Sequence, residues 1–379
     1  MKTKLAIKSR RARKVVPLRR TRKRTARPSA GSSVRKGSRF AVREGSRRPG
    51  GADGRKKRLE LKAATAGTQA AKLDGEGAIA SSSRMQQSFR EWAQAHLPQD
   101  LPFAELLPVA LAYRRGYASA AGLDSPWIPL SLQGSASAIV TASNEEKTLP
   151  AVLAELRKLP LREIIVVLNG CSDGSFSAVE KDPRVTRLNF PERLGHDVGR
   201  AIGAAAAVGD ILLFTDGDIC VPAEELAAFL VAVDRGDDLA LNDVSPYLPA
   251  FALQDEVTRC KAFLNQALGR ADLKANSLTA VPHALSRRAL GTVGTRALIV
   301  PPKAQALALA RGLTVNATIS VDVIRKNRVR SGNSGAGNAV AQMIIGDHVE
   351  ALAEVMKTEG VRLRFATLSR SELAKARNA

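Results

Sequence analysis

Cysteine is scarce in this sequence: Cys171, Cys220 and Cys260 are the three in 379 residues. None forms a CxxC pair and the number is odd, which argues against a disulfide framework or a structural zinc site and fits a reducing compartment. Long apolar runs are missing as well. No stretch reaches the roughly 18–20 residues that a membrane-crossing helix needs. The basic N-terminus lacks the apolar segment that a secretory signal carries after its charges. The expectation is a cytoplasmic protein with no transmembrane segment. Aromatic residues make up 4% of the chain while alanine is abundant, so the core is expected to pack aliphatic helices on aliphatic strands.

Acidic residues are nearly absent from the start of the chain. Residues 1–58 hold 23 Lys and Arg against Glu44 and Asp53, a net charge of +21, and the remainder of the chain sums to +1. The high net charge therefore belongs to a tail, and the body is close to neutral. Residues 1–84 are rich in Arg, Lys, Ser, Gly and Ala and cannot bury enough apolar surface to offset the entropy of ordering. They are expected to form a disordered basic tail. Through residues 1–58 it has three readings: contact with nucleic-acid phosphates, docking on an anionic surface or polymer, or a solubilising extension. Phe40 apart, no aromatic residue interleaves with the charges, which disfavours stacking on single strands. Met85 is also a second candidate start of translation. From there to residue 134 the pattern, with Phe89 and Trp92, reads as a helical lead-in.

Beyond 134 short apolar runs alternate with helical spacing. Strands are expected at 137–141, 163–168, 184–188, 210–215 and 239–242, with helices at 145–158, 198–208 and from Pro222 to about 233. That alternation indicates an α/β fold with a parallel sheet and helices on both faces. The second half is less regular: helices at 256–268 and 302–311, strands at 277–281 and 313–323. A flexible loop and a C-terminal helix from about 339 to 357 occupy 331–379. In such sheets ligands bind beyond the carboxyl ends of the strands. Three polar segments stand there: 142–145, 169–174 and 216–218.

Asp216 and Asp218 are one residue apart just past an apolar strand, with Gly217 between them to let the backbone turn. Two carboxylates so placed repel, and a hard divalent cation relieves the repulsion. Mg²⁺ or Mn²⁺ takes few carboxylates and fills its shell with phosphate oxygens and water. The alternative is a solvated acidic turn that caps a helix.

Several pieces occur in order. They are 138–146 (AIVTASNEE), 164–167 (IIVV) running into 169–173 (NGCSD), 194–200 (LGHDVGR) and 209–218 (GDILLFTDGD). Together, over Ser137 to Asp243, they resemble the nucleotide-binding half of family 2 glycosyltransferases, which have the GT-A fold. The resemblance implies a Rossmann-like domain over 135–330 that transfers a sugar from a nucleoside-diphosphate-sugar donor, by the family's usage a UDP-sugar, to an unknown acceptor. It places Thr141, Asn144, Glu145, Asn169, Asp173, Gly195, His196, Arg200, Asp216 and Gly217 around the donor. Glu145 falls near the nucleoside, Asn169 and Asp173 near the base or ribose, Arg200 near phosphate or sugar, and Asp216 and Asp218 at the metal. A surface salt bridge is the other reading of Arg200.

Two departures stand out. Leu168 occupies the place of the aspartate that commonly reads the base, and 299–305 (IVPPKAQ) lacks the carboxylate that many members use as catalytic base. A histidine from the second half completes the metal shell in several GT-A enzymes, so His283 is the first candidate both for that role and, with Asp218, for catalysis. His348 and Lys303 are candidates on the acceptor side. Structural histidines and solvated charges are the competing readings. Two other classes compete with a glycosyltransferase. A nucleotidyltransferase of related fold would want a glycine-rich loop where 142–145 has none. A non-enzymatic binder would act through the tail.

Overall fold

The computed structural model describes residues 51–75, 81–325, 339–365 and 369–378. All belong to the compact unit Gly50–Ala379. The basic residues 1–50 and the 331–338 loop lie outside the described residues.

Seven strands form one sheet: β1 (Ala136–Ala142), β2 (Leu161–Asn169), β3 (Val185–Phe190), β4 (Ile211–Asp216), β5 (Leu239–Asn242), β6 (His283–Ser286) and β7 (Val315–Ile319), in the order β3-β2-β1-β4-β6-β5-β7. β1 to β4 are parallel neighbours, and β7 runs parallel to β5. β6 is antiparallel to both β4 and β5, so the sheet is mixed where a parallel one was expected. The expected strand at 277–281 is not formed. The strand pairing starts at His283 instead, because that is where the chain meets Phe214 across from β4.

The helices are α1 (Gly51–Gly75), α2 (Ser82–His96), α3 (Phe103–Ala121), α4 (Leu149–Arg157), α5 (Ser175–Ala178), α6 (Val198–Ala206), α7 (Ala223–Asp234), α8 (Glu256–Ala267), α9 (Arg287–Val293), α10 (Pro301–Ala310), α11 (Ala339–Glu359) and α12 (Arg370–Asn378). Alternating strand residues feed two cores. Ala138, Val140, Ile164, Val166 and Leu213 face one layer with α4 and α7, and Ile139, Ile165, Val167, Leu212 and Phe214 face the other with α6, α9 and α10. Helices thus cover both faces, as the GT-A class expected from the sequence requires. Alanine and glycine bring α6 flat onto the sheet: a Cβ on Gly203 would stand 2.4 Å from Ile139 Cγ2.

The expectation of disorder through residue 84 is corrected over 51–75, which is helical. Its polar composition hides a stripe of small residues, Ala63, Gly67 and Ala71, spaced by four and buried. A Cβ on Gly67 would meet the Tyr113 carbonyl oxygen at 2.2 Å, and one on Gly116 the Ala64 carbonyl oxygen at 2.0 Å. α1 and α3 therefore touch at backbone distance, so α1 needs no large side chain to gain burial. Met85 is fully buried with Phe89, whose ring meets Tyr113 edge-on at 5.2 Å.

Candidate functional site

The carboxyl ends of β1, β2 and β4 lie side by side, with Thr141 in register with Val167 on one flank and Asp216 on the other. Thr141 Oγ1 donates to Asp216 Oδ1 at 2.7 Å. Gly217 is needed here for space: its φ is not in the left-handed region, but a Cβ on it would stand 2.9 Å from the Ala142 Cβ. The sharp turn expected of Gly217 is thus a close approach of two strand ends.

The N-terminal end of α6 supplies the basic partner. Arg200 is 6% exposed, donates from Nη1 to the Leu278 carbonyl at 3.0 Å, and lies 3.3 Å from Asp197 and 3.5 Å from Asp216. It is a buried tether between α6, the 276–281 segment and the β4 end, which excludes the surface-salt-bridge reading. Asp197 is nearly buried itself. Burial raises its carboxyl above the usual range, and the Arg200 charge opposes that rise.

Thr141, Glu145, Asn169, His196, Arg200, Asp216 and Asp218 are brought together around a cavity of about 120 Å³, with Asp197 among them. His196, Arg200, Asp216 and Asp218 also line a second cavity of about 530 Å³, so the two form one cleft. The larger part runs under the segment 244–253, past α8, to Val340 and Ile344 on α11. Its size falls in the ordinary range for small-molecule sites, roughly 300–1,000 Å³.

Other predicted residues shape the walls. Asn144 takes a left-handed φ of 62° and accepts from the Ser172 amide at 2.7 Å. Asn169 both lines the cavity and clamps the neighbouring loop, accepting from Leu194 N at 2.8 Å and donating to the Gly195 carbonyl at 2.7 Å. Gly195 has a φ of 122°, open to glycine. Asp173 lines neither cavity; its carboxylate accepts from Ser175 and from the Glu146 amide.

Three expectations are corrected. His283 is 1% exposed and lines neither cavity; its ring stacks on Phe214 at 5.0 Å and its Nδ1 contacts the Ala280 carbonyl at 3.0 Å. Burial, aided by the Arg200 charge, pushes its pKa down to about 3, so it is a neutral core histidine. Among the described residues no three His, Cys, Asp or Glu side chains are grouped to hold a metal ion, and the expected Asp216–Asp218–His283 set is therefore not assembled. Lys303 faces Glu350 at 3.1 Å and Glu354 at 3.6 Å, tying α10 to α11 away from the cleft. His348 is fully buried in α11, with Nδ1 2.7 Å from the Ile344 carbonyl and its pKa pushed down to about 4 by burial.

In the 299–305 stretch, which lacks the carboxylate that the resemblance led one to expect, Gln305 stands in a buried amide chain. It accepts from Leu278 N at 2.9 Å and donates to Asn265 Oδ1 at 2.8 Å. That chain fixes Leu278, whose carbonyl in turn holds Arg200. Sequence reasoning missed Asp197, Lys261 and Asp347. Asp347, on α11, is pushed up to about 6 by burial and by the charges of Asp197 and Glu350.

Residues 137–283 match the family model described as glycosyl transferase family 2. Over this segment the chain is similar to that family. That similarity is to a glycosyltransferase, and not to the nucleotidyltransferase or the non-enzymatic binder weighed for the body. No curated protein matches the chain. Among solved structures, the chain is similar to glucosyl-3-phosphoglycerate synthase from Mycobacterium tuberculosis in complex with Mn²⁺, uridine diphosphate and phosphoglyceric acid. Identity is 17%, over 58% of this chain and 78% of that one, with a TM-score of 0.44. A structure described as a mycobacterial protein is 18% identical over 59% of this chain and 75% of the other, with a TM-score of 0.42. No described helix is long and apolar enough to cross a membrane.

Proposed function

We propose that the chain transfers a sugar from a nucleoside-diphosphate donor, a UDP-sugar by the family's usage, with Mg²⁺ or Mn²⁺ held at Asp218 and Asp216. The observation that carries this reading is the meeting of Asp216, Asp218 and Arg200 at the junction of the two cavities. Two carboxylates with no third protein ligand grouped beside them among the described residues suit a hard cation whose remaining ligands are diphosphate oxygens and water. Bound there, such an ion would neutralise charge on the departing nucleoside diphosphate.

The chain's own groups divide the work. Asp216 is oriented by Thr141 Oγ1 and Arg200, which fix it in the turn. Asp218 faces both cavities and is the first metal ligand. Asn169 and Glu145 close the nucleoside end of the smaller cavity. The sugar lies towards the larger cavity, which leaves that space for the acceptor. The basic residues 1–58 serve as a separate, charge-driven contact with an anionic polymer or surface.

Slow hydrolysis of a panel of nucleotide sugars, with and without Mn²⁺, tests the proposal without knowledge of the acceptor. Metal-dependent release of UDP from one or a few donors supports it. Absence of release and of UDP binding across the panel overturns it.

A further inference from the structure

The larger cavity contains a cation that nothing so far has used. Lys261, on α8, lines it, while the smaller donor cavity does not reach Lys261. Among the described residues Lys261 interacts through longer-range charge, with Asp255 and Arg200, and not through a hydrogen bond. The carboxylate that acts on it is Asp255, whose own hydrogen bond goes elsewhere: it caps α8, accepting from the Thr258 amide at 2.7 Å. Arg200, on the other side, adds positive charge. A largely desolvated ammonium with no carboxylate in direct ion-pair contact is costly, and a ligand anion relieves that cost.

Independent of the lysine, Thr279 lines the same cavity and its Oγ1 is buried with no hydrogen-bond partner among the described residues. Buried hydroxyls are normally bonded, so an unpaired one in a cavity wall marks a place for a ligand atom or a water. Most of the remaining wall is apolar, including Val244, Leu248, Val281, Ile324 and Ile344. Apart from Arg200 and His196 at the junction with the smaller cavity, such a wall offers the anion no other basic group than Lys261.

We propose that the acceptor bears an anionic group, a phosphate or a carboxylate, and that Lys261 is its counter-charge, with Thr279 Oγ1 as a hydrogen-bond partner. The inference rests on the donor-site reading above, because it assigns the larger cavity to the acceptor. Lys261 is a binding residue here and takes no part in bond making. Burial and the Arg200 charge bring its pKa down to about 8, so the ammonium form still dominates at neutral pH.

The test uses the full chain with UDP and Mn²⁺ present, titrated calorimetrically with glycerol 3-phosphate, with glycerate, and with glycerol as the uncharged control. Glycerol 3-phosphate or glycerate should bind and glycerol should not, and which anion binds more tightly names the group. Lys261→Met should weaken anion binding by at least about tenfold, and Lys261→Arg should restore most of it. UDP affinity and thermal unfolding should be unchanged in both variants. Equal anion binding by wild type and Lys261→Met, or no anion binding by wild type at millimolar concentration, overturns the proposal. If UDP itself does not bind, the donor reading falls, and the same titration on the free protein still decides the role of Lys261.

Discussion

Arg200 Nη2 stands 3.5 Å from Asp216 Oδ2, with 7% of the arginine side chain exposed. One guanidinium thereby orients the first carboxylate of the Asp216-Gly217-Asp218 turn and, through the Leu278 carbonyl, ties it to the second half of the chain. Removing it strands Asp197 and Asp216. Arg200→Met is expected to cost about 3–5 kcal/mol of stability, the usual result of breaking a buried pair, and to weaken UDP binding by at least about tenfold. Arg200→Lys should recover little, because a point charge cannot reach three acceptors at once. Chemical denaturation and calorimetry on both variants check this; wild-type behaviour of Arg200→Met would show that the tether is dispensable.

Gly217 offers a test of position without a change in charge. A Cβ there would press on the Ala142 Cβ, and overpacking of this kind costs about 1–3 kcal/mol. Gly217→Ala should lower stability by that amount and weaken metal-dependent UDP binding, since the turn moves both carboxylates. The pair Gly217→Ala with Ala142→Gly should recover part of both. A single variant as active and stable as wild type would contradict the close-approach account.

The pH dependence of stability has a definite sign. His283 has a folded pKa near 3 against an ordinary value of 6.5. As pH falls below about 6.5 the unfolded chain takes up a proton that the folded chain refuses, so stability is full above that value and is lost between about 6.5 and 3. The loss from this group should reach about 2 kcal/mol by pH 5. Asp347, held up near 6, works in the opposite direction below that pH, and His348, down near 4, adds to the loss. The difference between wild type and His283→Phe isolates the histidine. Urea unfolding at pH 7 and pH 5 should show a smaller drop for the variant; equal drops would place His283 in a solvated setting.

Much of the donor half was legible because its signals are local. The strands ending at Thr141, Asn169 and Asp216 are short apolar runs, and the polar residues just beyond them fall at the sheet's carboxyl edge whatever the rest of the chain does. Arg200 was legible as a residue of the site but not as a buried one, since its partners Asp216 and Leu278 come from later in the chain. The errors lie where long-range packing decides. His283 sits at the end of a Pro-containing segment that reads as a strand terminus, yet it opens an antiparallel strand and its ring is taken by Phe214. Lys303 has the position of an acceptor contact in sequence, and α11 claims it with Glu350 and Glu354. Lys261 carried no signal at all: on α8 it looks like any solvated lysine until the 244–253 segment and α11 fold over it.

The same kind of packing moves the boundary of the tail. Because α1 lies against α3 through Ala63, Gly67 and Gly116, removing residues 1–84 should destabilise the body, while removing 1–49 should leave unfolding and donor turnover unchanged. The shorter deletion takes away 19 Lys and Arg and Glu44. It should abolish most retention on a heparin or DNA column and flatten its salt dependence. Thermal unfolding and column elution of the two truncations decide the matter; an unfolded 50–379 chain would contradict it.

The central claim is that Asp218 holds a divalent ion which in turn holds the donor's diphosphate. Calorimetric titration of UDP into wild type and Asp218→Asn, each with and without Mn²⁺, tests it most directly. The account predicts that Mn²⁺ tightens UDP binding to wild type by at least about tenfold and has little effect on Asp218→Asn, whose metal-free affinity stays close to that of wild type. An equal gain from Mn²⁺ in both proteins, or none in wild type, would contradict it.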